Sequence, residues 1–271
     1  MKPGKLLART LPLLLLALLW PARGQSTLAD EMALGNPSNA THNALNESNY
    51  LIQRDSYAMC YSRWDGIDRW VSWHLCAQDI GTNGRGSYTT DTSLPSGWYE
   101  AKSSETPSWS SDGFDRGHMC PSGDRTLTAT ANDQVFLMTN LIPQTPDNNQ
   151  GPWEKLESYC RTEAQAGKEL YIICGGWGFS KRISSGHVTV PSHVWKVILE
   201  LPLMSGSDVQ RVTSSSRIIA VDMPNIQGIR SDDWKKYRVS VDSIEANTGF
   251  DFFNNVPVPI QNVLEARVDN Q

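Results

Sequence analysis

The chain has 271 residues and a formal charge of −5 at pH 7. That length is enough for one large domain with a substantial core. An acidic balance excludes attraction of a polyanion by overall charge, so nucleic acid would have to be held by a local basic cleft.

The first segment has the form of a targeting signal. Lys2, Lys5 and Arg9 precede an apolar run at residues 11–20, and Ala22-Arg23-Gly24 supplies small residues at cleavage spacing. A basic start, a short apolar stretch and a small-residue exit describe a secretory signal peptide over residues 1–24. The run falls well short of the ~20 residues that span a bilayer. The expectation is therefore export, extracellular or periplasmic, with no membrane anchor in the mature chain. Removal of Lys2, Lys5, Arg9 and Arg23, with no acid among them, takes the formal charge from −5 to −9.

Residues 25–50 are polar and include Gly35-Asn36-Pro37-Ser38-Asn39-Ala40-Thr41. This composition predicts a leader segment rather than core. It also carries two glycosylation sequons, at Asn39 and Asn46. The domain proper is expected over residues 51–271. Tyr57-Ala58-Met59-Cys60-Tyr61 and Trp70-Val71-Ser72-Trp73-His74-Leu75 alternate like strands, with Asp65-Gly66 as a turn between them. Further strands are predicted at residues 170–174, 193–199 and 217–221. One long helix is predicted from Pro152 to about Ala166, with Pro152 at its first position and Gly167 at its stop. A shorter one follows Ser240. Strands without alternating helices indicate an α+β fold with a mostly antiparallel sheet.

Five cysteines, Cys60, Cys76, Cys120, Cys160 and Cys174, lie in this part. In an exported chain at least one disulfide is expected, with one thiol left over from the odd count. No C-x-x-C spacing occurs, which argues against the usual zinc sites.

The chemistry concentrates in Asp115-Arg116-Gly117-His118 and in the stretch from Thr139-Asn140 to Asn148-Asn149-Gln150-Gly151-Pro152-Trp153 and Glu157. A neutral imidazole takes a proton from water near neutral pH, and a guanidinium holds phosphate oxygens. Carboxamides and carboxylates ligate hard divalent cations. Gly117 gives the motif a compact, turn-like character. Asn149 and Glu157 cannot both be direct ligands along one straight helix, since eight residues rise ~12 Å. Asn149 is therefore expected in the loop before the helix and Glu157 two turns inside it.

The order and spacing of Asp115-Arg116-Gly117-His118, Leu137-Met138-Thr139-Asn140, Pro143-Gln144-Thr145-Pro146-Asp147-Asn148-Asn149 and Trp153 through Leu156-Glu157 resemble the DNA/RNA non-specific endonuclease family. These are the ββα-metal nucleases, and the likeness is greatest to their secreted cyanobacterial sugar-non-specific branch. Similarity extends through Trp70-Val71-Ser72-Trp73, Leu94-Pro95-Ser96-Gly97-Trp98 and Tyr237-Arg238-Val239, nearly the whole mature chain. The resemblance implies a ββα-metal nuclease fold with a central, mostly antiparallel sheet flanked by helices. His118 matches the family's general base and Asn149 its single direct protein ligand for a divalent metal, Mg²⁺ or Mn²⁺. Glu157 matches the acid that holds water on that metal, Asn140 a site-organising amide and Arg116 the Arg of the motif. Arg85 is the candidate for an upstream Arg near the substrate phosphate, one residue out of register, and Arg125 is a further candidate for the basic cleft.

The implied activity is endonucleolytic hydrolysis of DNA and RNA with little sequence preference, leaving 5′-phosphate and 3′-hydroxyl ends. A member reduced to nucleic-acid binding would be expected to lack His118, Asn149 or Glu157, and all three are present. The sequence does not name an accompanying inhibitor protein.

Overall fold

A computed structural model describes residues 31–204 and 208–271, without the side chains of residues 106–108. The expected signal peptide lies outside them. Eleven strands occur among the described residues: β1 Tyr50–Gln53, β2 Ala58–Ser62, β3 Ile67–Leu75, β4 Asp115–His118, β5 Leu141–Gln144, β6 Lys168–Trp177, β7 Lys181–Ile183, β8 Val188–Val190, β9 His193–Pro202, β10 Arg217–Pro224 and β11 Arg238–Val239. Seven of them form one antiparallel sheet in the order β1-β2-β3-β6-β9-β10-β11. The pairs β4-β5 and β7-β8 stand apart from it. The helices that matter below are α1 Ala129–Val135, α2 Glu154–Gln165, α3 Val241–Thr248 and α4 Val258–Glu265.

Alternation along the strands divides the core in two. Val71 and Trp73 of β3, Ile172 and Cys174 of β6 and Ile198 of β9 pack with Trp153 and Leu156 under α2. Trp70, Tyr171, Ile173, Trp195, Val197 and Leu199 face the other way, onto Val241, Ile244, Phe252 and Leu264 of the C-terminal segment. Trp153 is fully buried at the root of α2. Its truncation to Ala would cost about 3–5 kcal/mol by cavity formation, so this packing fixes where the helix meets the sheet.

The strands at residues 170–174, 193–199 and 217–221 form as their apolar runs predict. The turn after β2 carries Gly66 at φ +65°, and Gly249, at φ +72°, ends α3 behind its Ser240 cap. Three expectations need correction. Pro152 does not open the long helix but sits in a wide turn, Asn149–Trp153, that precedes α2. The segment expected as a leader is folded over residues 31–50: Leu34 and Ala40 are buried with Phe250 and Phe252, and Thr41 bridges to Tyr50. All five cysteines are free and buried, so the expected disulfide does not form. Each thiol fills a core position, as small apolar groups do.

Candidate active site

Strand β4 pairs with β5 in the register Arg116↔Pro143, Gly117↔Ile142 and His118↔Leu141. The two-residue period of a strand turns Arg116 and His118 to the same side, where both line a cavity of about 560 Å³. Gly117 lies inside this strand rather than at a turn. A Cβ there would come within 2.0 Å of the Gln144 Oε1 and 2.8 Å of its Cβ, so the glycine is required by close approach. The chain after His118 is held by Asn140, which is fully buried. Its Oδ1 accepts from the Cys120 N–H at 3.0 Å, and its Nδ2 donates to the carbonyls of Cys120 at 2.9 Å and Val135 at 2.8 Å. Asn140 thus organises the motif without lining the cavity.

Arg85, Tyr88, Arg116, His118, Asn149, Glu154, Glu157, Arg161 and Arg230 all line the same cavity. The Arg85 loop is pinned to the segment before α1 and to α1 itself, by Asn83 N–H to the Thr126 carbonyl at 3.0 Å and Gly86 N–H to Asn132 Oδ1 at 2.8 Å. The Arg116 guanidinium stands 3.7 Å from the centre of the Tyr88 ring, and that of Arg85 stands 5.3 Å from Phe136. The same two rings flank the His118 imidazole, at 5.7 and 4.8 Å. Burial, followed by the charges of Arg85 and Arg116, pushes the His118 pKa down to about 3. The ring is therefore neutral at working pH and able to accept a proton. Its Nε2 is buried and has no hydrogen-bond partner among the described residues.

Asn149 begins the wide turn before α2. Gly151, at φ −116° and ψ −115°, breaks the helical path there, and the backbone of Arg230 presses so close that a Cβ would lie 2.7 Å from it. The break lets Asn149 and Glu157 open onto one cavity although a straight helix would separate them. Glu157 lies one turn inside α2 rather than two. The Asn149 Nδ2 donates to Asp115 Oδ2 at 2.9 Å, which leaves Oδ1 as its available oxygen. Burial raises the Glu157 carboxyl to about 7, against an opposing pull from Lys196. Lys196 reaches Glu157 at 3.9 Å from inside the core, with its ammonium 4.0 Å from the Trp153 ring centre.

The structure thus brings together Arg85, Arg116, His118, Asn149 and Glu157. It does not bring Arg125. That guanidinium is buried, pairs with Glu31 at 3.3 Å and donates to the carbonyls of Ser56 and His74 at 2.9 and 2.8 Å. Tyr88 and Lys196 take part without having been singled out from the sequence, and Asp115, quoted there only within the motif, holds the Asn149 amide. A lysine in the middle of the apolar run 194–199 was the one visible sign among them.

A histidine-bearing strand, its antiparallel partner and the helix after it, here β4, β5 and α2, define the ββα-metal nuclease fold. The chain belongs to the DNA/RNA non-specific endonuclease family, which matches residues 34–258. It is 43% identical over 246 residues to a nuclease of Nostoc sp. (strain PCC 7120 / SAG 25.82 / UTEX 2576), covering 90% of this chain and 88% of that one. It is 27% identical over 225 residues to nuclease C1 of Cunninghamella echinulata var. echinulata, covering 77% of this chain and 84% of that one. The fold matches the crystal structure of an EndoG/EndoGI complex with a TM-score of 0.70 at 22% identity, over 84% of this chain and 92% of the matched chain. Among the described residues no helix is long and apolar enough to cross a membrane.

Proposed function

We propose that the chain is an exported, metal-dependent endonuclease that hydrolyses DNA and RNA with little sequence preference. The observation that carries this reading is the His118 Nε2: a neutral, buried, unpartnered base on the wall of a cavity lined by Arg85 and Arg116. Export rests on the composition of residues 1–24.

The donor set at the other side of the cavity fits a hard divalent cation such as Mg²⁺ or Mn²⁺. Asn149 would ligate it through Oδ1, since Asp115 engages its Nδ2. Glu157 would hold part of its hydration shell, because a carboxyl raised to about 7 is short of positive charge. When bound, such an ion supplies Lewis-acid stabilisation of the phosphate and of the departing 3′ oxygen.

The chain's own residues do the rest. His118 takes the proton of the attacking water at Nε2. The ring contacts with Tyr88 and Phe136 keep its orientation fixed. Arg116 and Arg85 hold the non-bridging phosphate oxygens by charge-assisted hydrogen bonds. They also keep His118 unprotonated before the reaction. Because water is the nucleophile, a 2′-hydroxyl is not needed, and both sugars are substrates. Degradation of circular DNA, linear DNA and RNA, with and without chelator, tests the proposal. Full activity in excess chelator, or cleavage of RNA alone, would rule it out.

A further inference from the structure

On the face of the sheet opposite the active site, Asp242 and Glu245 of α3 meet Glu265 of α4. One carboxylate oxygen from each residue lies within 4.8 Å of those of the other two. Asp242 is exposed, Glu245 half-buried and Glu265 only 6% exposed. The Glu265 Oε1 is buried with no hydrogen-bond partner among the described residues. The charged neighbours that act on Glu265, namely Glu245, Asp242 and Asp251, are all acidic. Three carboxylates gathered on two packed helices, one of them buried without a partner, cost stability unless a cation joins them. The other such cluster among the described residues, His74, Cys76 and Asp79, is different: Arg125 already lies 3.8 Å from Asp79.

We propose that Asp242, Glu245 and Glu265 form a calcium site that clamps α3 to α4, separate from the active-site cation. The chemistry favours Ca²⁺ over Mg²⁺. Calcium accepts several carboxylates in irregular geometry with six to eight oxygens in all, whereas Mg²⁺ demands a near-ideal octahedron and keeps most of its waters. Exposed Asp242 leaves room for water to complete the shell. Glu245 is already oriented, since its Oε1 accepts from the Phe252 N–H at 2.8 Å. The role is structural: the clamp holds Val241, Ile244 and Leu264 against the back of the sheet.

The test is calorimetric titration of the purified chain with calcium chloride alone, paired with thermal unfolding. It is done in an Asn149→Ala background so that the active site does not contribute. Calcium should bind there and raise Tm on the order of 5 °C at roughly hundredfold excess over Kd. Adding Glu265→Gln should abolish both signals while raising the calcium-free Tm, since it removes a buried carboxyl crowded by two others. Asp242→Asn, at an exposed position that leaves the core intact, should weaken calcium binding about tenfold or more. Absence of calcium binding in the Asn149→Ala protein would overturn the proposal. So would calcium binding that survives both Glu265→Gln and Asp242→Asn unchanged.

Discussion

Glu157 and Lys196 face each other across the floor of the active site, Oε1 to Nζ at 3.9 Å, with the lysine 1% exposed and wedged against Trp153. The pair is too long for a hydrogen bond. The lysine lowers the carboxyl's pKa without cancelling the effect of burial, so the glutamate stays near 7. The acid is thus poised at the pH where its charge is most easily changed by a third group.

A stability difference follows from that poise. The folded carboxyl titrates at about 7 against an ordinary value of 4.5. The protonated form is favoured by the fold, so this contribution is fully present below pH 4.5 and is lost as pH rises through 7. Without metal, Glu157→Gln should therefore gain stability relative to the wild type across this range, by up to ~3 kcal/mol. Denaturant melts in chelator at pH 4.5, 6 and 8 measure it. A difference that stays constant with pH would mean that Glu157 is ionised throughout.

For His118 the sign is opposite. Its pKa is depressed to about 3, so the neutral base form persists down to that pH. Its ring should show no titration near 6.5 by NMR in the metal-free protein. Arg116→Ala removes one of the charges that disfavour the imidazolium and should move the titration upward. His118→Ala should lose at least the ~10²–10⁴ in rate typical of a missing general base, with an unchanged melting curve.

Metal use should depend on three residues to different degrees. Asn149→Ala should abolish turnover or demand far more Mg²⁺, and Glu157→Gln should be milder because it acts through water. Asp115→Ala, which frees the Asn149 amide, should raise the Mg²⁺ concentration for half-maximal activity by about tenfold, the lower end for loss of a residue that orients a ligand. Magnesium titrations of the three variants rank them, and an Asp115→Ala curve matching wild type would remove Asp115 from the site.

The products and the salt dependence report on the other wall of the cavity. Water attack leaves 5′-phosphate and 3′-hydroxyl ends on both DNA and RNA. End-group analysis showing 3′-phosphates would contradict the role given to His118. Arg85→Ala and Arg116→Ala should each flatten the dependence of binding on log salt by about one unit, whereas Arg125→Met should leave it unchanged because Glu31 occupies that guanidinium.

The sequence was most legible where one residue type has one use. His118, Arg116, Asn149 and Glu157 lie on the same cavity because a strand's period and a cap-and-helix pattern can be read locally. What could not be read was long-range. Arg125 was a candidate for the basic cleft and residues 31–50 were expected outside the domain, and these are one misreading. The folded leader brings Glu31 back to Arg125, to the His74 N–H at 2.8 Å and to the Ser72 hydroxyl at 2.7 Å. No local pattern announces such a contact. The missing disulfide has a similar origin, since spacing along the chain does not tell which core pocket a small side chain fills.

Those five thiols also set the conditions in which the molecule can live. Cys60, Cys76 and Cys160 are pushed up to about 12 by burial, and Cys120 and Cys174 are raised as well. The reactive thiolate is thereby suppressed at every one of them. Among the described residues no disulfide ties the fold, and none of the five thiols is exposed to an oxidant. The five thiols are in this sense indifferent to redox: the core they fill needs no oxidising compartment to form.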